Sequence, residues 1–177
     1  VDKKMIVGAC INLSGRINTM EGFSYNFFFF FFRPLNEIIS EQLDLPVRLE
    51  NDTRAMAFGE YHEGVVDEEQ NVIYVNYGWG VAIGIITDGN LYYGKSGYSG
   101  EFGHSNIFDN GILCQCGKLG CLETEISGWS LVKQFKEAIK EGKQSKVVLD
   151  ENSKSLQHHA IIMGALQQED ALCVELV

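Results

Sequence analysis

Gly97-Tyr-Ser-Gly-Glu101-Phe-Gly-His104 and, ten residues further on, Cys114-Gln-Cys116-Gly-Lys-Leu-Gly-Cys121-Leu-Glu123 form the stretch on which the reading of this chain turns. Three thiols fall within eight residues, and Gly117 and Gly120 permit the sharp backbone turns that such a loop needs. A structural zinc site takes four soft or borderline ligands in a tetrahedron. His104 is the fourth candidate, because His62, His158 and His159 fall in other predicted elements. Three free, buried cysteines are the plainer alternative, but two cysteines one residue apart among glycines argue against it. If His104 gives one ring nitrogen to the metal, the other can meet a ligand or a supporting group. Glu101 follows glycines and serines that can bring backbone close to a small ligand, and the metal loop would fix the direction of Glu123. Two carboxylates and an imidazole suit a polyol, whose hydroxyls need acceptors. The plain alternative for Glu123 is a charge at a helix N-terminus.

The chain around this stretch has 177 residues, which is one domain or two small lobes. With 45% apolar and 21% charged residues it is an ordinary globular sequence, neither a disordered tail nor a coiled coil. Its formal net charge of −10 repels phosphate backbones, so these residues are not expected to touch DNA themselves. No secretory signal and no run of about 20 apolar residues is read, so no membrane partner is expected. Clustered cysteines without such a signal favour metal over disulfides and place the protein in the cytoplasm; Cys10 and Cys173 stand apart.

Met5 to Ile11 reads as a buried strand and Leu13-Ser-Gly-Arg16 as a turn. The six consecutive phenylalanines, Phe27 to Phe32, would point to both faces of any strand and are an aggregation hazard. A helix is expected over about 33–43, a strand over Pro46 to Glu50, and a small-residue helix from Thr53 to about His62. The charged segment from Gly64 to Gln70 reads as the link between two lobes, 1–68 and 69–177, the second carrying the zinc loop at 104–121. Strands follow at Val72 to Asn76, Val81 to Ile86 and Leu91 to Tyr93, with Asp88-Gly89 as a hairpin turn. Val132, Phe135 and Ile139 make one helix stripe, and a last helical region begins at Leu156. The end, Leu172 to Val177, shows an apolar pattern with no cap, so the chain reads as incomplete there.

Asn51-Asp52 stand between a strand and a helix N-terminus. Asp52 is either a plain N-cap or a carboxylate kept ionised by the helix dipole, able to act as a general base toward an alcohol. Gly78, Gly80 and Gly84 could cradle phosphates between two strands, although the Gly-Lys-Ser/Thr ending of a Walker loop is absent. A tight strand-to-strand turn explains them equally well.

Together these pieces resemble the ROK family of repressors, open reading frames and sugar kinases. Leu49-Glu-Asn-Asp52, Gly84-Ile-Ile-Thr-Asp-Gly-Asn-Leu91, Gly97 to His104 and Cys114 to Glu123 carry the resemblance, over about residues 4–130 and more loosely beyond. It implies an α/β chain with part of the two-lobed actin-like ATPase, or ribonuclease-H-like, fold. It implies Asp52 as catalytic base with Asn51 beside it on the sugar. Glu101, His104 and Glu123 would bind sugar hydroxyls, Gly15 and Arg16 would form the sugar-side turn, and a further contact would lie near Phe28. His104, Cys114, Cys116 and Cys121 would hold structural zinc. The family's Asp-x-Gly-Gly-Thr-like phosphate loop is not in this sequence, and its second phosphate motif, normally Gly-Thr-Gly-like, reads Tyr77-Gly-Trp-Gly80. That erosion resembles the family's transcriptional regulators, which bind sugar and reach DNA through a winged-helix domain not found in this sequence. The expectation is therefore a sugar-sensing domain of such a regulator, with a homo-oligomer as the family's assembly. The alternative is a hexose kinase using Mg-ATP, with Asp52 as base.

Overall fold

The fold is seen in a computed structural model that describes residues 5–26, 32–150 and 155–177, without the side chains at 155 and 156. The contact expected near Phe28, and most of the phenylalanine run, lies outside the described residues. Two compact units are present, 1–75 with 83–100 and 76–82 with 101–177. The turn around residues 78–81 is bonded into the second unit. Gly128 N–H donates to Gly78 O (2.8 Å), Trp129 N–H to Trp79 O (3.3 Å) and Val81 N–H to Glu123 Oε2 (3.0 Å).

The first unit starts with β1 (Ala9–Leu13), β2 (Ile17–Asn18), β3 (Phe23–Ser24), α1 (Leu35–Leu43), β4 (Val47–Asn51) and α2 (Asp52–Glu63). β1 and β4 pair in parallel, Ala9 opposite Val47 through Leu13 opposite Asn51. The buried strand expected from Met5 begins only at Ala9, and its residues alternate between half-buried and exposed. Its inner face joins Ile17, Leu35, Val47 and Leu49 in one apolar cluster. α1 stops at Asp44, whose left-handed φ of 55° ends the helix while its N–H bonds Ser40 O. β5 (Val72–Tyr77), β6 (Val81–Thr87) and β7 (Asn90–Leu91) follow in that spatial order.

Gly84 lies inside β6 rather than in the glycine turn, and a Cβ there would come within 2.3 Å of Ala57 Cβ on α2. Its missing side chain is a packing requirement. Gly84→Ala should cost about 1–3 kcal/mol, the usual penalty of overpacking a filled site. Ala57→Gly in the same chain should return part of that loss in chemical denaturation.

The second unit holds a single 3₁₀ turn (Phe102–His104), the cysteine loop, α3 (Glu123–Ile126), α4 (Gly128–Lys140), α5 (Ser155–Leu166) and α6 (Ala171–Leu176). Leu131, Val132, Phe135 and Ala138 of α4 pack against Ile162, Leu172 and Cys173. The stripe is rotated from the expected one, and Ile139 faces outward. The start of the last helix is capped. Asp170 accepts from the N–H groups of Leu172 and Cys173 at the start of α6, and also from Lys146 N–H and Ser145 Oγ.

These donors, Lys146 N–H foremost, bring the Asp170 carboxyl down to about 2. The unfolded value is close to 3.9. Because the folded value is the lower one, the contribution is complete above about pH 4 and disappears as pH falls through about 2. The stability difference between the wild type and Asp170→Asn should therefore shrink over that interval, read by urea unfolding at pH 5, 3 and 2.

Candidate functional site

His104, Cys114, Cys116 and Cys121 place one donor atom each within 4.8 Å of all the others. The 3₁₀ turn sets the imidazole, with His104 N–H bonded to Glu101 O at 3.1 Å. Gly103 is obligatory in that turn, since a Cβ would sit 2.1 Å from Val81 O. The cysteine loop closes on Cys114 N–H to Lys118 O (2.8 Å) and Gly117 N–H to Cys114 O (2.9 Å), with Gly117 and Gly120 at φ of 88° and 67°. Cys114 Sγ lies 3.4 Å from His104 Nδ1, and Cys116 Sγ 3.6 Å from Cys121 Sγ. Tetrahedral zinc with Zn–S near 2.3 Å and Zn–N near 2.0–2.1 Å separates its ligands by roughly 3.5–3.8 Å. Both the spacing and the donor set fit such an ion. Burial pushes the Cys114 thiol up to about 12 and raises that of Cys121. Both are therefore protonated at neutral pH until a cation takes the thiolates.

With Nδ1 turned to Cys114, the other ring nitrogen of His104 faces Glu101, Nε2 to Oε2 at 3.8 Å. Glu101 and His104 are thus neighbours, as the sequence spacing suggested. Glu123 is placed differently. Its buried carboxylate accepts from Val81 N–H through Oε2 and makes a long 3.5 Å contact to Trp129 Nε1 through Oε1. It holds the turn that carries Gly78 and Gly80, where Gly78 N–H also closes on Gly80 O (3.0 Å). A Cβ at Gly80 would meet Glu123 Oε2 at 2.8 Å, whereas one at Gly78 would make only an ordinary contact, 3.9 Å to Asn76 Oδ1.

In the first unit Gly15, Asn51 and Asp52 stand together. Asn51, not Asp52, caps α2, accepting Arg54 N–H at 3.0 Å while its Nδ2 donates to Gly15 O at 3.0 Å. Asp52 is released from capping. It accepts Thr53 N–H at 2.7 Å through Oδ1 and the Ser14 hydroxyl at 2.5 Å through Oδ2. Gly15 has φ of 86° and leaves no room for a Cβ beside Asn26, whose Oδ1 accepts Arg16 N–H at 2.8 Å. The Arg16 side chain is exposed.

Sequence reading missed what anchors this corner. Arg54 and Glu50 are buried and paired, Nε to Oε1 at 2.7 Å. Arg54 also donates to Gly97 O (2.8 Å) and Ile17 O (3.0 Å) and lies over the Tyr93 ring. Glu50 accepts Thr19 Oγ1 at 3.0 Å, Asn51 N–H at 2.7 Å and the Tyr93 hydroxyl at 2.9 Å. Burial, then the Glu50 carboxylate, pushes Tyr93 up to about 12, so it remains a donor at neutral pH. The available signal was an i, i+4 Glu–Arg pair bracketing Asn51-Asp52, with its Arg in a helix otherwise rich in small residues.

Comparison with known proteins agrees with this fold. The chain is 32% identical to the glucokinase of Halalkalibacterium halodurans over 99% of its own length and 54% of the kinase's. It is 42% identical to the xylose repressor of Bacillus subtilis over 57% of its own length and 26% of the repressor's. A solved ROK family transcriptional regulator, a homolog of E.coli MLC protein, superposes with a TM-score of 0.79 at 30% identity, covering 96% of this chain and 42% of that one. The chain therefore spans about half, or less, of the length of the relatives it matches. Its mixed α/β architecture is the actin-like ATPase fold of ROK structures. The ROK family model matches residues 14–172, nearly the whole sequence, and the chain belongs to the ROK family.

Proposed function

We propose that this chain is the sugar-sensing part of a ROK transcriptional regulator, with zinc as its structural metal. The observation that carries this reading is the closed turn at residues 78–81. A phosphate loop needs free amides and a positive or neutral surround. Here Val81 N–H is taken by the Glu123 carboxylate, Gly78 N–H by Gly80 O, and an indole stands at position 79. The sugar-side residues are kept. Gly15, Arg16, Asn51 and Asp52 are the sugar-binding groups proposed for the first unit, and Glu101, His104 and Glu123 those proposed for the second. Zinc would supply one service, fixing the His104 ring and the cysteine loop as a rigid support. Asp52 accepts a hydroxyl hydrogen, as it already does from Ser14. Glu101 offers a second acceptor. Sugar binding would bias a conformational equilibrium that a DNA-binding domain elsewhere in the full protein reads. Thiol ligands fit a reducing compartment, which supports a cytoplasmic location.

A hexose kinase is the second reading. It is favoured by Asp52, which capping does not occupy and which could take a proton from an attacking hydroxyl. A coupled assay of ADP release with glucose, xylose, N-acetylglucosamine and N-acetylmannosamine, run beside calorimetry, separates the two. The sensor reading expects saturable sugar binding without turnover. Turnover of several per second, abolished in Asp52→Asn, would replace it with the kinase.

A further inference from the structure

The only two tryptophans of the chain, Trp79 and Trp129, line one groove in the second unit. With them stand Gln115 of the cysteine loop and Lys133, Lys136, Glu137 and Lys140 of α4, around a volume of about 390 Å³. The groove is open along one side. Both indoles are half-buried, and Trp79 rests on the apolar cluster of α4. Lys133 is matched by Glu137 at 4.0 Å, while Lys136 and Lys140 have no ion-pair partner among the described residues. Two unmatched cations beside two indoles stand out on a chain whose net charge is −10.

We propose that this groove docks an extended acidic segment of a partner protein, with an aromatic or aliphatic side chain seated between the tryptophans and its carboxylates on Lys136 and Lys140. The inference does not depend on which sugar the chain binds, or on whether it is a sensor or a kinase. Tryptophan is the side chain most often found at binding hot spots, because a rigid ring covers much apolar area at little entropic cost. Along a helix the step from residue 136 to 140 is about 6 Å. Same-side residues of an extended peptide repeat at about 6.6 Å. Trp129, Lys133, Lys136 and Lys140 follow one another along one face of α4, so an apolar side chain and two acids at alternate positions on the same side of the peptide meet them in turn. A small anion such as a nucleotide is the competing occupant. It prefers a pocket that encloses most of its surface, and this groove is open.

The test is fluorescence titration of the full chain, in which every tryptophan photon comes from the groove. The probe is the blocked hexapeptide Phe-Ser-Asp-Ser-Asp-Ser, whose Phe and Asp share one face when extended, with Phe-Ser-Lys-Ser-Lys-Ser as control. The expected result is a saturable change with the acidic peptide alone, weakened at least tenfold in Lys136→Glu/Lys140→Glu and weakened by salt. Lys95→Glu, an exposed lysine of the other unit, should leave it unchanged. No saturable change up to millimolar peptide would overturn the proposal, as would binding that ignores the charge reversal. Saturation by ATP in a parallel titration, with none by the peptide, would assign the groove to small anions instead.

Discussion

Replacing Cys114 by serine should abolish zinc binding by the second unit and lower the stability of the zinc-loaded protein by several kcal/mol. Four donors converge with spacings that match tetrahedral zinc, and serine is a poor ligand for that ion. In zinc-dependent domains, metal binding free energy on the order of 10 kcal/mol is folding free energy. The cysteine loop has few other restraints: two isolated bridges, Asn106 to Cys121 and Leu113 to Leu119, and a handful of turn hydrogen bonds. Elemental analysis should fall from one metal per chain to near none, and the thermal midpoint should drop with it. Cys10→Ser removes an exposed thiol far from the cluster in sequence and should change neither quantity. Equal metal content in Cys114→Ser would remove that thiol from the ligand set.

The second large effect belongs to Arg54. Arg54→Met should destabilise the first unit by about 3–5 kcal/mol, the range found when one partner of a buried ion pair is removed. The guanidinium is 3% exposed as a side chain, and its loss leaves the Glu50 carboxylate, 11% exposed, without a counter-charge. It also orphans the carbonyls of Gly97 and Ile17. Glu50→Gln combined with Arg54→Met should cost less than the two single changes added together, because the second change no longer strands a charge. Asn51 and Asp52 lie between the partners, so sugar affinity should fall in Arg54→Met beyond what the unfolded fraction explains. Urea unfolding and calorimetry on the same samples give both readings.

The second-unit site was legible because its chemistry is local in sequence. Cysteines two and five positions apart, and glycines whose left-handed φ is needed at 117 and 120, announce the loop directly. α1 with its helical apolar spacing, α2 behind the Asn51-Asp52 cap signal, and the apolar runs of β5 and β6 were legible for the same reason. What the sequence did not show depended on partners distant along the chain. Glu123 opens α3, as a helix-terminal charge would, and also bonds Val81, forty-two residues away. Gly84 lies in β6 against Ala57 of α2. The Glu50–Arg54 pair is itself local, yet its burial is set by Ile17, Thr19, Tyr93 and Gly97, which no pattern within α2 reveals. Asp170 caps α6 and also gathers Ser145 Oγ and Lys146 N–H, 25 and 24 residues back, which no pattern around α6 reveals.

The account rests on the metal loop acting as the support that holds His104 and Glu101 in place for a sugar. Its most direct measurement is calorimetric titration of xylose and glucose into zinc-loaded protein, chelated protein and chelated protein given zinc again, with circular dichroism confirming that each sample is folded. The account predicts that affinity drops at least tenfold on chelation and returns with zinc. Equal affinity in folded, metal-free protein would contradict it.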